Sequence, residues 1–171
     1  RITATFACMM AEMPTDTGGA SVWPKDHIFA TTPSKEYNID NVDEFLADCA
    51  ACGKDDKHWQ VAPALWPAFK KMVTSIRAPK VKTSMIYSKS EDTVSKVKYN
   101  SSNLLEAPDM EKVEGGDTTI TAASIEALAE EWLLTTEVKL HATPEDQHVT
   151  HSGCINCPFV MQLLPRILEC K

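Results

Sequence analysis

Residues 115–153 read GGDTTITAASIEALAEEWLLTTEVKLHATPEDQHVTHSG. Gly115-Gly116-Asp117-Thr118-Thr119 has the composition of a turn. From Ala122 to Leu133, Ile125, Leu128, Ala129 and Trp132 recur at the helical period and predict a helix with one apolar face. Glu137 to Ala142 alternates, which predicts a strand with Val138 and Leu140 inward. Thr143 to Gly153 is polar and reads as a loop. Working outward, Val81 to Tyr87 after Pro79 predicts a further strand upstream. Downstream, a last helix is predicted from roughly Ile155 to Glu169, with Pro158 in its first turn and Pro165 kinking or shortening it. The order is then strand, loop with Asp117, helix, strand, loop with His151, helix. That alternation predicts an α/β fold built on a parallel sheet. In such sheets functional groups sit on loops beyond the C-terminal ends of the strands. Asp117 and His151 both fall on strand-to-helix loops, so both belong at one sheet edge. Acid before histidine is also the chain order of Ser-Asp-His hydrolases of the α/β class.

The first half is less regular. Residues 1–26 hold Pro14, Gly18, Gly19 and Pro24 and read as irregular. Ile28 to Thr31 predicts a short strand stopped by Pro33. Asp40 or Asn41 can cap a helix through Ala51 that ends at Gly53, with Val42, Phe45, Leu46 and Cys49 on one face. A second helix is predicted from about Pro63 to Ile76, with Leu65, Phe69, Met72, Val73 and Ile76 aligned. Residues 88–112 are polar and predict long loops, with a hairpin at Val94–Tyr99. The segment from Trp59 to Lys82 carries Trp59, Trp66, Phe69 and five basic residues. It reads as a helix packed on a core, or as an amphipathic face for lipid head groups.

The length of 171 residues suits one ordinary domain, and 43% hydrophobic with 24% charged residues is a globular balance. A net charge of −7 provides no basic field for nucleic acid. No apolar run approaches the roughly 18 residues that span a bilayer. The six cysteines are Cys8, Cys49, Cys52, Cys154, Cys157 and Cys170. An even count in a short chain predicts disulfides and an oxidising compartment, without choosing a connectivity. Cys49/Cys52 and Cys154/Cys157 form two C-x-x-C pairs, and four thiolates can hold a structural zinc. The pairs lie far apart and Cys49 sits on an apolar helix face, so a buried thiol or disulfide is the simpler reading. No metal or cofactor is expected. Asn100-Ser101-Ser102 is a glycosylation sequon in a polar stretch. Asp117 after two glycines is by itself most often a turn former. His148 competes with His151 on the same loop, and spacing to the last helix favours His151. His27, His58 and His141 read as surface or strand residues.

Four blocks resemble the lecithin:cholesterol acyltransferase and lysosomal phospholipase A family, an α/β-hydrolase group. Arg1-Ile2-Thr3, then Trp23-Pro24 and Asp26-His27-Ile28-Phe29-Ala30-Thr31-Thr32-Pro33, resembles the family segment W-P-E-D-H-V-F-x-x-T-P, continued by Tyr37 through Phe45. Pro79-Lys80-Val81 through Tyr87 resembles the strand P-G-V-x-x-x-x-x-Y, with Ser88 where the family has Gly. Glu114 to Ile120, with Ser124 and Trp132, resembles the G-D-[GD]-T-V block, with Thr118 replacing Gly or Asp. The stretch from His151 to the end resembles the family's histidine-bearing terminal helix.

The resemblance implies the C-terminal part of an α/β-hydrolase sheet plus a portion of its cap, completed by a missing N-terminal chain. Residues 1–78 would be the lid end and cap portion, and 79–171 the C-terminal strands and helices of the core. It implies a serine-dependent phospholipase A or lipid acyltransferase acting on glycerophospholipid acyl esters at a membrane surface. Asp117 and His151 would be the acid and base. The serine belongs in G-x-S-x-G on a strained strand-to-helix turn, and this sequence has none; Gly19-Ala20-Ser21-Val22-Trp23 lacks the second Gly. The expectation is a secreted or secretory-lumen, two-chain enzyme cleaved in or near its lid, its N-terminal chain carrying the nucleophile. The competing expectation is a non-enzymatic, disulfide-held extracellular domain that binds lipid or protein; a zinc-stabilised module is a third.

Overall fold

The computed structural model describes Trp23 and residues 26–168. Expectations for residues 1–22, for Cys8 and Cys170 and for Glu169 lie outside the described residues. The chain is mixed α/β and divides into two compact units. The first comprises residues 1–76 and 96–111, and the second residues 77–95 and 112–171.

In the first unit, β1 (Ile28–Thr31) pairs antiparallel with β2 (Glu36–Asn38). It pairs parallel with the end of β4 (Glu91–Lys98), Ala30 facing Val97 and Thr31 facing Lys98. The sheet order is β2-β1-β4-β5, where β5 is Asp109–Gly116. Against this sheet pack α1 (Val42–Cys52) and α2 (Val61–Val73). Their shared core holds Phe29, Ala30, Tyr37, Val42, Leu46, Ala62 and Trp66. Helix α1 starts where expected, but Asn41 does not cap it through its side chain. Its Oδ1 instead accepts the Asn38 N–H at 2.6 Å, tying the helix start to β2. Gly53 ends the helix, and the ring of Trp59 fills the space a Cβ would need there.

Helix α2 buries only part of the face predicted from Leu65, Phe69, Met72, Val73 and Ile76: Val73 is buried and Phe69 packs against the core. Ala62, Trp66 and Val73 are buried, while Leu65, Met72 and Ile76 are exposed. Trp66 has far more apolar surface to remove from water than Leu or Met, so it sets the helix rotation. The polar stretch 88–112 is also not a run of loops: β4 and the first half of β5 lie in it. Most of β5 is exposed, so its ladder rather than a buried face makes it a strand.

In the second unit, β3 (Thr83–Tyr87) and β6 (Val138–Ala142) form a parallel pair in unbroken register from Thr83–Val138 to Tyr87–Ala142. Helix α3 (Ala122–Leu133) connects into β6 with the predicted bounds and packs on both strands. Tyr87 Oη donates to Glu126 Oε1 of α3 at 2.7 Å. Helix α4 (Pro158–Ile167) starts later than predicted, because Cys154–Asn156 forms a 3-10 turn and Pro158 takes the first helical position. Pro165 is accommodated inside it. Val160 and Leu164 of α4 pack with Val149, Cys157 and Ile86. Neighbours Ile86 and Tyr87 point to opposite sides of their strand, so α3 and α4 cover opposite faces of the β3–β6 pair. Leu140, predicted inward, is 39% exposed.

Candidate active site

The acid loop starts where β5 ends. Gly115 has φ +84° and Thr118 φ +78°, so two of four consecutive residues turn through the left-handed region. Gly can do this freely; a β-branched Thr needs outside support. The chain doubles back at once, with Gly116 bridging to Thr121 and the Asp117 N–H donating to the Ile120 carbonyl at 3.2 Å. This tight return aims the backbone N–H groups of Thr119 and Ile120 at one carboxylate oxygen. They reach Asp117 Oδ1 at 2.9 and 2.7 Å. That oxygen is thereby fixed and the other, Oδ2, is turned away from the loop.

Oδ2 meets the base. His151 Nδ1 lies 2.7 Å from it. The His151 backbone N–H also donates to the Asp117 carbonyl oxygen at 2.6 Å, so main chain and side chain of one residue meet those of the other. The Asp117 side chain is 15% exposed and that of His151 50%. A carboxylate accepts, so Nδ1 carries the proton and Nε2 keeps its lone pair. The pair is therefore an oriented base whose free nitrogen is open. Among the described residues, no side chain is hydrogen-bonded to Nε2 and no nucleophile stands beside it.

The other histidines are elsewhere. His148, at φ +47°, turns to Glu91, with Nδ1 3.2 Å from Oε1, and does not reach Asp117. His141 Nε2 lies 3.3 Å from Ser84 Oγ across the β3–β6 pair. His27 stacks on Trp23 at 4.2 Å between ring centroids. The side chain of His58 is outside the described set. Asn100 is exposed and donates from Nδ2 to Asp109 Oδ2 at 3.0 Å.

Cys49, Cys52, Cys154 and Cys157 are free thiols, so the expected disulfides are not formed among these four. Cys49 and Cys52 lie in the first unit, Cys154 and Cys157 in the second. Among the described residues no three His, Cys, Asp or Glu side chains gather to hold a metal ion. Burial, with Cys52 and Asp48 nearby, pushes the Cys49 thiol up to about 12. The Cys154 thiol is raised by burial and by its neighbours Cys157 and Asp117.

Sequence reading missed the residues that support the two loops. Thr93 Oγ1 accepts the Thr118 N–H at 3.1 Å. Ser90 Oγ accepts the Val149 N–H at 2.9 Å. Both lie in the stretch expected to be loop, and no local motif marks a hydroxyl that serves a distant backbone N–H.

No protein-family model matches the chain. The phosphatidylcholine-sterol acyltransferase of Eliomys quercinus is 28% identical over 111 residues, which cover 65% of this chain and 34% of that protein. The similarity is weak and partial, and the matched region spans about a third of the relative's length.

Proposed function

We propose that this chain supplies the acid and the base of a serine-dependent lipid ester hydrolase or acyltransferase that acts on glycerophospholipid acyl esters. The observation that carries the reading is the Asp117–His151 pair, joined at 2.7 Å with the second carboxylate oxygen held by two N–H groups. The similarity to a sterol acyltransferase supplies the substrate class. The nucleophilic serine and the oxyanion donors belong to an N-terminal chain of the same precursor; the match covers 34% of the relative. An unfinished sheet supports this. β3 and β6 form a two-stranded parallel sheet among the described residues, whereas parallel strands otherwise occur in larger sheets covered on both faces.

In this mechanism His151 Nε2 takes the proton from the serine hydroxyl as its oxygen attacks the acyl carbonyl. Asp117 Oδ2 stabilises the resulting imidazolium and holds the ring. Collapse of the tetrahedral adduct expels the lysolipid alkoxide, which receives that proton. Water or a lipid alcohol then takes the acyl group from the serine, with His151 again as base. Residues 1–78 serve as lid end and cap portion. The compartment is the secretory lumen or the extracellular space, with Asn100 as the glycan acceptor; the four free thiols support neither an oxidising compartment nor a disulfide-held, non-enzymatic domain.

The test is fatty-acid release from phosphatidylcholine vesicles by the full-length protein. His151→Ala abolishes turnover, whereas His148→Ala, whose ring pairs with Glu91, leaves it near wild type. Wild-type turnover in His151→Ala overturns the proposal.

A further inference from the structure

We infer that Thr93 and Ser90 are positioning residues which set the geometry of Asp117 and His151 by holding both loops to one short segment of chain. This rests on the hydrolase reading above and assigns a role to two hydroxyls at the start of β4, Ser90 just before the strand and Thr93 within it.

Thr93 is fully buried. Its Oγ1 accepts the N–H of Thr118, the residue next to Asp117, at 3.1 Å. The same hydroxyl donates towards the Glu91 carbonyl oxygen at 3.4 Å, so its one hydrogen is engaged and its lone pairs face the Thr118 N–H. Thr118 stands at φ +78°, which β-branched side chains avoid. The bond from its N–H holds it there. Gly116 makes room for this: a Cβ at that position would fall on the Thr93 side chain, 2.7 Å from its Cβ and nearer still to Oγ1. Thr93 and Gly116 are thus two halves of one contact, and that contact sits beneath the turn that aims the Thr119 and Ile120 N–H groups at Asp117.

Ser90 does the equivalent on the other loop. Its Oγ accepts the N–H of Val149, two residues before His151, at 2.9 Å. Ser90 Oγ lies 3.0 Å from Ser88 Oγ, and Ser88 is 2% exposed, so the accepting hydroxyl is itself held. Val149 is buried among Cys157, Val160 and Ile86, which anchors the loop on its far side. Ser90 and Thr93 are three residues apart. Their two bonds therefore fix the acid loop and the base loop to a common support, and the 2.7 Å contact between Asp117 and His151 does not have to hold the loops together alone. A catalytic pair tolerates little displacement: an error of about 1 Å costs up to about a hundredfold in rate.

The experiment uses the full-length protein with Thr93→Val, Thr93→Ser and Ser90→Ala. Val keeps the shape of Thr and removes the hydroxyl, Ser keeps the hydroxyl, and Ser90 is only partly buried, so Ser90→Ala is the variant most tolerant of folding. Two readouts are taken: kcat and KM on phosphatidylcholine vesicles, and the NMR resonance of the His151 Nδ1 proton bonded to Asp117. Thr93→Val and Ser90→Ala are expected to lower kcat about tenfold to a hundredfold at unchanged KM and to shift or broaden the Nδ1 proton. Thr93→Ser is expected to restore both. An unchanged Nδ1 proton with wild-type kcat in folded Ser90→Ala and Thr93→Val overturns the inference. So does a Thr93→Ser variant as impaired as Thr93→Val, because packing and not the hydroxyl would then be responsible. A wild-type protein that releases no fatty acid overturns the hydrolase reading, while the Nδ1 proton still decides whether the two hydroxyls position the pair.

Discussion

Gly116→Ala replaces one hydrogen of the acid loop with a methyl group, and the surroundings fix its cost. The new Cβ would lie 2.7 Å from Thr93 Cβ and 2.8 Å from the Ile120 carbonyl oxygen, with Thr93 Oγ1 closer. Carbon atoms in van der Waals contact are about 3.5–4.0 Å apart, so the neighbours must yield by close to 1 Å. Thr93 is 0% exposed and cannot swing into solvent. Overpacking of this kind costs about 1–3 kcal/mol. Displacing the Thr93 hydroxyl from the Thr118 N–H adds about 1 kcal/mol. For a chain of this size that total lowers the melting temperature by about 5–15 °C. Gly115→Ala is the control, because nothing lies within 4 Å of its Cβ but its φ is +84°. Its cost of about 1–2 kcal/mol is backbone strain alone. Thermal unfolding followed by circular dichroism separates the two causes when each is combined with Thr93→Ala. Trimming Thr93 relieves part of the Gly116→Ala clash, so that double variant is less destabilised than the sum, whereas Gly115→Ala and Thr93→Ala add. A Gly116→Ala protein that melts with wild type, or strict additivity with Thr93→Ala, refutes the packing argument.

Asp117→Asn keeps the shape of the acid but offers an amide to His151, which disfavours the tautomer with a proton on Nδ1; phospholipid turnover is expected to fall by about 10³–10⁴, read from initial rates of fatty-acid release. Asp48 is a pH-dependent anchor of the first unit. Burial raises its pKa, but bonds from Lys35 Nζ at 2.6 Å and Tyr37 Oη at 2.8 Å outweigh this and leave it below its ordinary value. A depressed folded-state pKa contributes stability above the unfolded value of about 4, and that stability is lost as pH falls through the folded value. Asp48→Asn therefore lowers the melting temperature near neutrality and narrows the gap to wild type as pH falls below about 4; a gap that widens on acidification contradicts the assignment. In the native protein at neutral pH, iodoacetamide is expected to reach Cys52 and Cys154 before the buried Cys49 and Cys157. In denaturant without reductant, peptide mass analysis is expected to find all four alkylated, and any of them protected as a disulfide contradicts the free-thiol structure.

What the residues announce and what they conceal follows from where the stabilising surface lies. Helix α3 has its predicted bounds because Ala129 and its neighbours repeat at the helical period between a turn and a strand. Strand β3 was legible as an apolar run after Pro79 and β6 as a short strand before a polar loop, and the helix ahead of β6 implied their parallel pairing. β4 and β5 were not legible, because Glu91-Asp92-Thr93 and Asp109-Met110-Glu111-Lys112 read as solvated loop; β4 is a strand through its pairing with the distant β1, and β5 through its pairing with β4. The face of α2 was misread in part because a count of aliphatic residues undervalues Trp66, which is 1% exposed. Asp117 and His151 were legible as strand-to-helix loop residues, although Asp117 follows β5 of the four-stranded sheet and His151 follows β6 of the two-stranded one, not one common sheet edge. The geometry that joins them was not, since it depends on Thr93 and Ser90, whose hydroxyls look no different in sequence from any other polar loop residue.

Acid–base chemistry at an ester needs an oriented base and a surrounding that excludes water. Residues 88–151 provide the first. The carboxylate is fixed through Oδ1, the ring through Nδ1, and each loop through a hydroxyl. The second is incomplete among the described residues, because the His151 side chain is 50% exposed. Two unit charges at about 4 Å interact by only about 1 kcal/mol in bulk water and by several times that near a protein surface. Asp117 therefore stabilises an imidazolium at position 151 far more once the open side of the ring is covered. On the proposed reading that cover is the serine-bearing chain itself, which brings nucleophile and low dielectric together in one step. A two-stranded parallel sheet is deficient in the same way, since its outer edges have hydrogen-bonding groups to fill. One added polypeptide that extends the sheet and closes over His151 would meet both needs, and it explains why an oriented pair can persist here without a substrate-ready site.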